Sequence, residues 1–395
     1  MSAGSSELCY LDHAATTPVR AEVAEAMAPF AASHFGNPSG GHRAAAAARR
    51  ALEEARDSVA EVVGCEPGEV VFTAGGTEAD NLAVLGTLAA AAELGNPLAV
   101  VCSAVEHPAV REPCRAAAKG WFGAGGSPVV LREVPVGGDG VVDLEALEAL
   151  LDPSVALVSV MLANNEVGTV QPLTEVAAAA HRRAPRSVVH TDAVQAAAWL
   201  DLPRAAVGCD LVSVSAHKLG GPKGVGALVA REGTRLRPLV LGGGQERERR
   251  SGTQNVAGAV GLAASLRLAA ADRAAEWERV TRLRDRLAAG LAAAVPGLSV
   301  TVPGERALPG HCHVLVPGVD REELLVLLDA DGVCVSAGSS CASGALEPSH
   351  VLAAMGIEGE AARGALRFSL GRASTDADVD RALAAVPAAV ERLCR

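Results

Sequence analysis

Between about residue 50 and residue 230, short apolar runs alternate with alanine-rich helical stretches. The runs are Val70-Val71-Phe72, Leu98 to Cys102, Val129 to Leu131, Ala156 to Met161, Val188 to Thr191, Leu211 to Val214 and Val225 to Val229. Several are apolar at every position rather than every second one, as strands buried on both faces are. Such strands alternating with helices predict an α/β fold with a mainly parallel sheet and helices on both sides. Hydrophobic residues make up 49% of the chain and aromatics only 2%, so the core is built from Ala, Val and Leu. A long helical stretch, about Ala257 to Ala294, ends at Pro296. A smaller α/β segment follows: Leu298 to Val302, His313 to Val316, a helix Arg321 to Asp329, Val333-Cys334-Val335 and a last helix from Asp376. At 395 residues the chain has room for one large or two unequal domains, and this segment is expected to be the second.

Charge and cysteine usage exclude several classes. The net charge is −11, and the densest basic stretch, Arg247 to Arg250, is interrupted by Glu248. A nucleic-acid surface needs a clustered basic patch, so none is expected. No apolar run is long enough to span a bilayer, and Met1 to Tyr10 has no signal-like apolar segment. The protein is expected to be soluble and cytoplasmic, with no membrane contact. Its nine cysteines form no Cys-x-x-Cys pair and no Cys/His cluster of zinc spacing, so no metal is expected. Reduced, mostly buried thiols are expected instead, at most one or two of them chemically special.

In an open α/β sheet, ligands sit beyond the C-terminal ends of the strands. Polar residues fall there. Val70-Val71-Phe72 is followed by Thr73-Ala74-Gly75-Gly76-Thr77-Glu78 and a helix Ala79 to Ala92. Glycines and a threonine at a helix start make an anion site, or else a plain N-cap. Leu98 to Cys102 leads to Glu106-His107-Pro108, where His107 is either structural or a stacking, proton-moving group. Ala156 to Met161 leads to Asn164-Asn165-Glu166, and Val188-Val189-His190 to Thr191-Asp192-Ala193-Val194-Gln195. A carboxylate at the depth of Asp192 is costly unless it faces a cation. The next end delivers Ser215, His217 and Lys218. Of 35 basic residues only Lys119, Lys218 and Lys223 are lysines, and a lysine, unlike an arginine, can lose its proton and attack a carbonyl. Lys218 and Lys223 share the glycine-rich stretch Ser215 to Gly224, which is either a Schiff-base site or an ordinary surface loop.

One cofactor uses these parts together. Pyridoxal phosphate needs a lysine for its aldehyde, an acid for its pyridinium nitrogen, an anion site for its phosphate and a ring-stacking group. Lys218, Asp192, Thr77 with Ser215, and His107 supply that set from four strand ends.

With these residues in view, the chain resembles the cysteine desulfurases of the iron–sulfur and nitrogen-fixation group over nearly its whole length. The resemblance is carried by Tyr10 to Pro18, Phe35-Gly36-Asn37-Pro38-Ser39, Thr77-Glu78-Ala79-Asp80-Asn81, Asn164-Asn165-Glu166-Val167-Gly168, His217 to Gly224, Arg250-Ser251-Gly252-Thr253 and Arg367-Phe368-Ser369-Leu370-Gly371. It implies a homodimeric fold-type-I pyridoxal enzyme, aspartate-aminotransferase-like. Residues 19–258 are then the large cofactor-binding domain, and 1–18 with 259–395 the smaller one, carrying a cysteine loop at about 336–347. By the same resemblance Lys218 bonds the cofactor's aldehyde, Asp192 pairs with the pyridinium and Gln195 with the phenolic oxygen. His107 stacks on the ring and serves as acid or base. Gly76, Thr77, Ser215 and His217 hold the phosphate, and Thr253 reaches the phosphate of the other subunit. Arg367, helped by Asn165, takes the substrate carboxylate in a bidentate pair.

The resemblance makes Cys341 the nucleophile that receives the sulfur of L-cysteine as a persulfide, leaving L-alanine. It lies in Ser336 to Pro348, whose small residues describe a flexible loop. From the residues alone the favoured reading is a chance cysteine in a surface loop. Cys334, in an apolar strand, and the remaining cysteines are expected to pack. The persulfide is expected to pass to an acceptor protein serving iron–sulfur assembly, tRNA thiolation or a biosynthetic sulfur carrier. The chain stops soon after its last helix, where some relatives extend to dock the iron–sulfur scaffold, so that docking mode is not expected. Gly40-Gly41-His42 replaces a more usual serine-rich stretch. The competing readings are a related pyridoxal lyase or aminotransferase, such as a selenocysteine lyase, and a non-catalytic sulfur-relay scaffold.

Overall fold

A computed structural model describes residues 8–95, 98–121, 129–338 and 349–394. The first short strand, β1 (Cys9–Tyr10), lies far from the next in sequence. Seven strands then form the main sheet: β2 (Val70–Thr73), β3 (Leu98–Ser103), β4 (Val129–Val134), β5 (Val155–Ser159), β6 (Val188–Asp192), β7 (Leu211–Ser215) and β8 (Gly226–Ala230). Their order is β2-β8-β7-β6-β5-β3-β4. The ladders from β4 through β7 are parallel, and β8 runs antiparallel to both β7 and β2. The uniformly apolar runs thus became the expected mainly parallel sheet, each within a few residues of its sequence bounds. Strands β2, β3, β7 and β8 are buried at every position.

Four strands complete the chain: β9 (Ser299–Val300), β10 (His311–Leu315), β11 (Val333–Cys334) and β12 (Ala365–Ser369). They form a β12-β10-β9 sheet, and β11 pairs in parallel with β1. Two differences from the sequence reading stand out. Strand β10 begins at His311, two residues before the expected His313, because buried His311 occupies a position where an apolar residue was sought. Strand β1 is too short for any periodicity to announce it.

The 39-residue helix Val256–Ala294 joins two apolar cores. Its first half (Ala259, Leu262, Ala263, Leu266) packs into the core of the main sheet, with Leu52, Ala55 and Val59 of helix Arg43–Val63. Its second half (Val280, Leu283, Leu287, Leu291) packs with β10, β12 and helix Asp376–Leu393 through Val314, Phe368, Val379 and Val386. Strand β1 and Leu11 belong to this second core. The N-terminal segment that follows crosses back to the end of the main sheet, and this crossing positions much of the site.

The cysteine expectation holds in part. None of the described cysteines is disulfide-bonded, and Cys9, Cys102, Cys114, Cys209 and Cys312 are buried. Cys394, however, is exposed at the end of the last helix, so it does not pack as expected: that helix buries its other face. Among the described residues no helix is long and apolar enough to cross a membrane.

Candidate active site at the strand ends

The site begins with the turn after β7. Ser215 ends the strand, and a single 3₁₀ turn, Ala216–Lys218, brings the lysine round. The N-terminal segment grips that turn. Thr17 donates its N–H and its hydroxyl to the His217 carbonyl at 2.9 and 2.8 Å and accepts from the Gly220 N–H at 2.8 Å. His217 Nδ1 meets Thr16 Oγ1 at 3.2 Å. The Lys218 amine donates to the carbonyls of Ala14 and Ala15, the latter at 2.9 Å, and the Gln195 amide donates to the same Ala14 carbonyl at 2.7 Å. Lys218 and Gln195 are therefore brought together by a main-chain oxygen more than 180 residues away in sequence.

Strand β6 ends at Asp192, whose carboxylate accepts the Val194 N–H at 2.8 Å. It is 5% exposed. Burial pushes its carboxyl above the usual range; His107, the Val194 N–H and Lys218 pull the other way. His107 caps helix Pro108–Ala118, its Nδ1 accepting the Ala109 N–H at 3.1 Å. The neutral ring therefore carries its proton on Nε2. Burial lowers its pKa, Lys218 lowers it further and Asp192 opposes. Lys218, Asp192 and His107 thus lie close enough for each charge to act on the others, as the strand-end argument required.

Helix Gly76–Glu93 starts immediately after β2. Gly75, its N-cap, has φ 153°, ψ −177°, a conformation that side chains rarely adopt. A Cβ at Gly76 would lie 2.8 Å from Val194 Cγ2 and 3.5 Å from Ser215 Cβ, so glycine lets the helix start close against the Asp192 and Lys218 turns. Thr77 is exposed there. Thr253 is also exposed, on a loop whose Arg250 pairs with Glu78 at 2.8 Å, so that loop is tied to the same helix start.

Arg367 comes from the second core. It lies on β12, 2% exposed, with Nη1 donating to the Asn165 carbonyl at 2.8 Å and Nη2 to Asp12 Oδ1 at 2.7 Å. The contribution of Asn165 to it is a main-chain carbonyl. Among the described residues the Nε of Arg367 has no hydrogen-bond partner, nor has either ring nitrogen of His311, 5% exposed nearby on β10. Burial, with Arg367 and Lys218, pushes the His311 pKa down to about 3.

Cys341 lies outside the described residues. The positions on either side of its segment are described. Ser336 exchanges two main-chain hydrogen bonds with Arg367. The Gly338 carbonyl accepts from Arg367 at 3.4 Å, and Ser349 Oγ donates to buried Glu166 at 2.6 Å. Gly338 also abuts Glu166. Both described ends therefore meet the Asn165-Glu166 turn beside Arg367.

The chain matches the class-V aminotransferase family over residues 9–382. It is 44% identical over 388 residues to a cysteine desulfurase of Cereibacter sphaeroides, covering 98% of this chain and 97% of that one. It belongs to the cysteine desulfurases of the class-V aminotransferase family. The cysteine desulfurase IscS of Dictyoglomus turgidum is 41% identical over 384 residues, 97% of this chain and 95% of that one. A solved structure of a NifS-like protein superposes with a TM-score of 0.89 at 36% identity, covering 98% of this chain and all of that one. Enzymes of this family use pyridoxal phosphate. The pocket fits that group: a lysine amine, a buried carboxyl and an imidazole converge beside a helix start kept open by glycines. Unpartnered polar atoms of Arg367 and His311 lie on the second-core side.

Sequence reasoning missed several residues here. Asp12 and the Ala14 and Ala15 carbonyls lay inside a stretch noted only for its resemblance. Glu166 was placed at a strand end without a role. Asp80 and His190, buried beside Asp192, each carried an available signal: a carboxyl next to the apolar run Leu82 to Leu85 of its helix, and a polar residue inside a strand.

Proposed function

We propose that this chain is a pyridoxal-phosphate-dependent cysteine desulfurase that converts L-cysteine to L-alanine and delivers the sulfur, through a persulfide on Cys341, to an acceptor protein. The observation that carries it is the meeting of Lys218, Asp192 and His107 at three strand ends in a chain with desulfurase relatives over its whole length. When bound, pyridoxal phosphate supplies an electron sink that acidifies the substrate's α-carbon.

The protein's residues do the rest. Lys218 anchors the group and is the amine placed to move the α-proton. Asp192 would serve the group's pyridinium nitrogen and Gln195 its phenolic oxygen. His107 would be the stacking residue, and it holds its own exchangeable proton at Nε2. The N–H groups at Gly76 and Thr77, with Ser215 and His217, form the anion cradle. Thr253 extends it to a second copy of the chain. Exposed apolar side chains such as Phe35 and Leu241 are suited to being covered by that copy. Arg367 orients the substrate carboxylate, its charge shared with Asp12. The Cys341 thiolate attacks the substrate sulfur. As the S–S bond forms the C–S bond breaks; its electron pair stays with the substrate carbon, which takes a proton and leaves as alanine.

The test is product stoichiometry: one alanine per sulfur released from L-cysteine with a reductant present, and loss of alanine from L-cysteine in a Cys341 variant. Alanine formed from selenocysteine but not from cysteine overturns the reading in favour of a selenocysteine lyase. Arg367→Lys keeps the charge and loses the planar fork. It is expected to raise the apparent KM for cysteine roughly tenfold or more, the scale of one charged hydrogen bond, with cofactor absorbance unchanged. An unchanged KM removes Arg367 from the substrate site.

A further inference from the structure

Behind Asp192 lies a second carboxyl that no step above uses. Asp80 sits one turn into helix Gly76–Glu93 and is 1% exposed. One ligand-capable atom each of Asp80, Asp192 and His107 lie within 4.8 Å of one another. The helix packs on the sheet face that bears His190 and Asp192, two residues apart on β6 and so on one side, with Ser213 opposite Asp192 on β7. Two carboxyls this close and this buried do not both ionise.

The surroundings of the two are unequal. Asp192 has the Val194 N–H at 2.8 Å and feels His107 and Lys218. Asp80 has Ser213 as its stabilising hydrogen-bond partner, and its Oδ1 has none. The ring nearest it, His190, lies 3.6 Å away and brings no charge: Ser159 and Ser213 hydroxyls meet its two nitrogens at 2.8 and 3.0 Å, and burial pushes its pKa down to about 3. Glu106, another acid in this region, is also fully buried; burial holds its carboxyl well above the usual range, and its Oε1 accepts the Met161 N–H at 2.7 Å. Among the described residues, negative charge on Asp192 is therefore favoured by the Val194 N–H and by Lys218 and His107, whereas charge on Asp80 is favoured by the Ser213 hydroxyl.

We propose that Asp80 is a positioning residue that carries the proton of the Asp80–Asp192 pair as a neutral carboxylic acid, so that the negative charge stays on Asp192. A neutral Asp80 is a donor within 4.8 Å of Asp192, and it removes the like charge that would otherwise push a proton onto Asp192. The proposal concerns the same pocket as the proposed function, but the proton assignment holds for the cofactor-free protein too.

The experiment is infrared spectroscopy of the full-length protein near pH 7.5, with and without pyridoxal phosphate, reading the carbonyl stretch of protonated carboxyls by its shift in D₂O. Such a band is expected in both states; Asp80→Asn removes a component that Glu106→Gln leaves in place. Cofactor affinity is the second readout. Asp80→Asn, which still donates, stays within about threefold of the parent, whereas Asp80→Leu, of similar size without a donor, binds about tenfold or more weakly. A band that Asp80→Asn leaves unchanged overturns the proposal, as does an Asn variant that binds as poorly as the Leu variant. If the parent protein binds no pyridoxal phosphate, the functional reading fails while the infrared result still decides the proton.

Discussion

Lys218→Ala is expected to give a folded protein with no measurable turnover of L-cysteine, a loss of more than about a thousandfold, the scale of a missing base in the reacting position. The variant should also lose the cofactor absorbance and the label fixed by borohydride in the parent. The other two lysines, Lys119 and Lys223, are both exposed, whereas Lys218 is half-buried and held by two main-chain carbonyls. Its donor pair fixes where the nitrogen sits, and its effect on Asp192 and His107 shows which side of the sheet it serves. Because the Thr17 bonds to His217 and Gly220 remain in the variant, the turn itself should survive, and circular dichroism should match the parent. Peptide mapping that finds the label on Lys119 or Lys223 would remove Lys218 from its role.

The second large effect is a separation of functions in Cys341→Ser. This variant should bind the cofactor and L-cysteine, shown by the change in absorbance on adding substrate. It should release sulfide at least about a hundredfold more slowly than the parent and carry no labelled sulfur, since a hydroxyl is a far weaker nucleophile than a thiolate near neutral pH. The alternatives within the chain are poor. Burial pushes the thiols of Cys9, Cys65, Cys209 and Cys312 up to about 12, so they hold little thiolate at pH 7. Cys394 is exposed, but it ends the last helix. Mass spectrometry of the protein after cysteine turnover reads the outcome directly. A persulfide on Cys394, or on any cysteine at parental level in Cys341→Ser, would overturn the assignment.

Much of this was legible before any coordinates. Runs apolar at every position specified the parallel strands because a strand covered on both faces has no polar position to spend. The ends of those runs then placed Asp192, His107, Ser215 and Lys218 on one rim, since parallel strands all point their C-termini the same way. Scarcity narrowed the amine to three lysines in an arginine-rich chain, and the strand end chose Lys218 among them. Where polarity and periodicity disagreed, the reading slipped: His311 and His313 are buried in β10, and a histidine in a strand looks like a boundary.

What the sequence determined by itself, then, was the sheet, the rim and the identity of the chemically capable side chains, because these follow from spacing within a few residues. What only the tertiary structure decided was their partners. The Ala14 carbonyl that joins Lys218 to Gln195 is a main-chain atom, and every residue has one. Asp12 neutralises Arg367 across 355 positions, and Asp80 comes within 4.8 Å of Asp192 from a different element. Whether a carboxyl is ionised, shared or protonated depends on what the fold packs against it, because desolvation and nearby charge act through space and leave no trace in the order of residues.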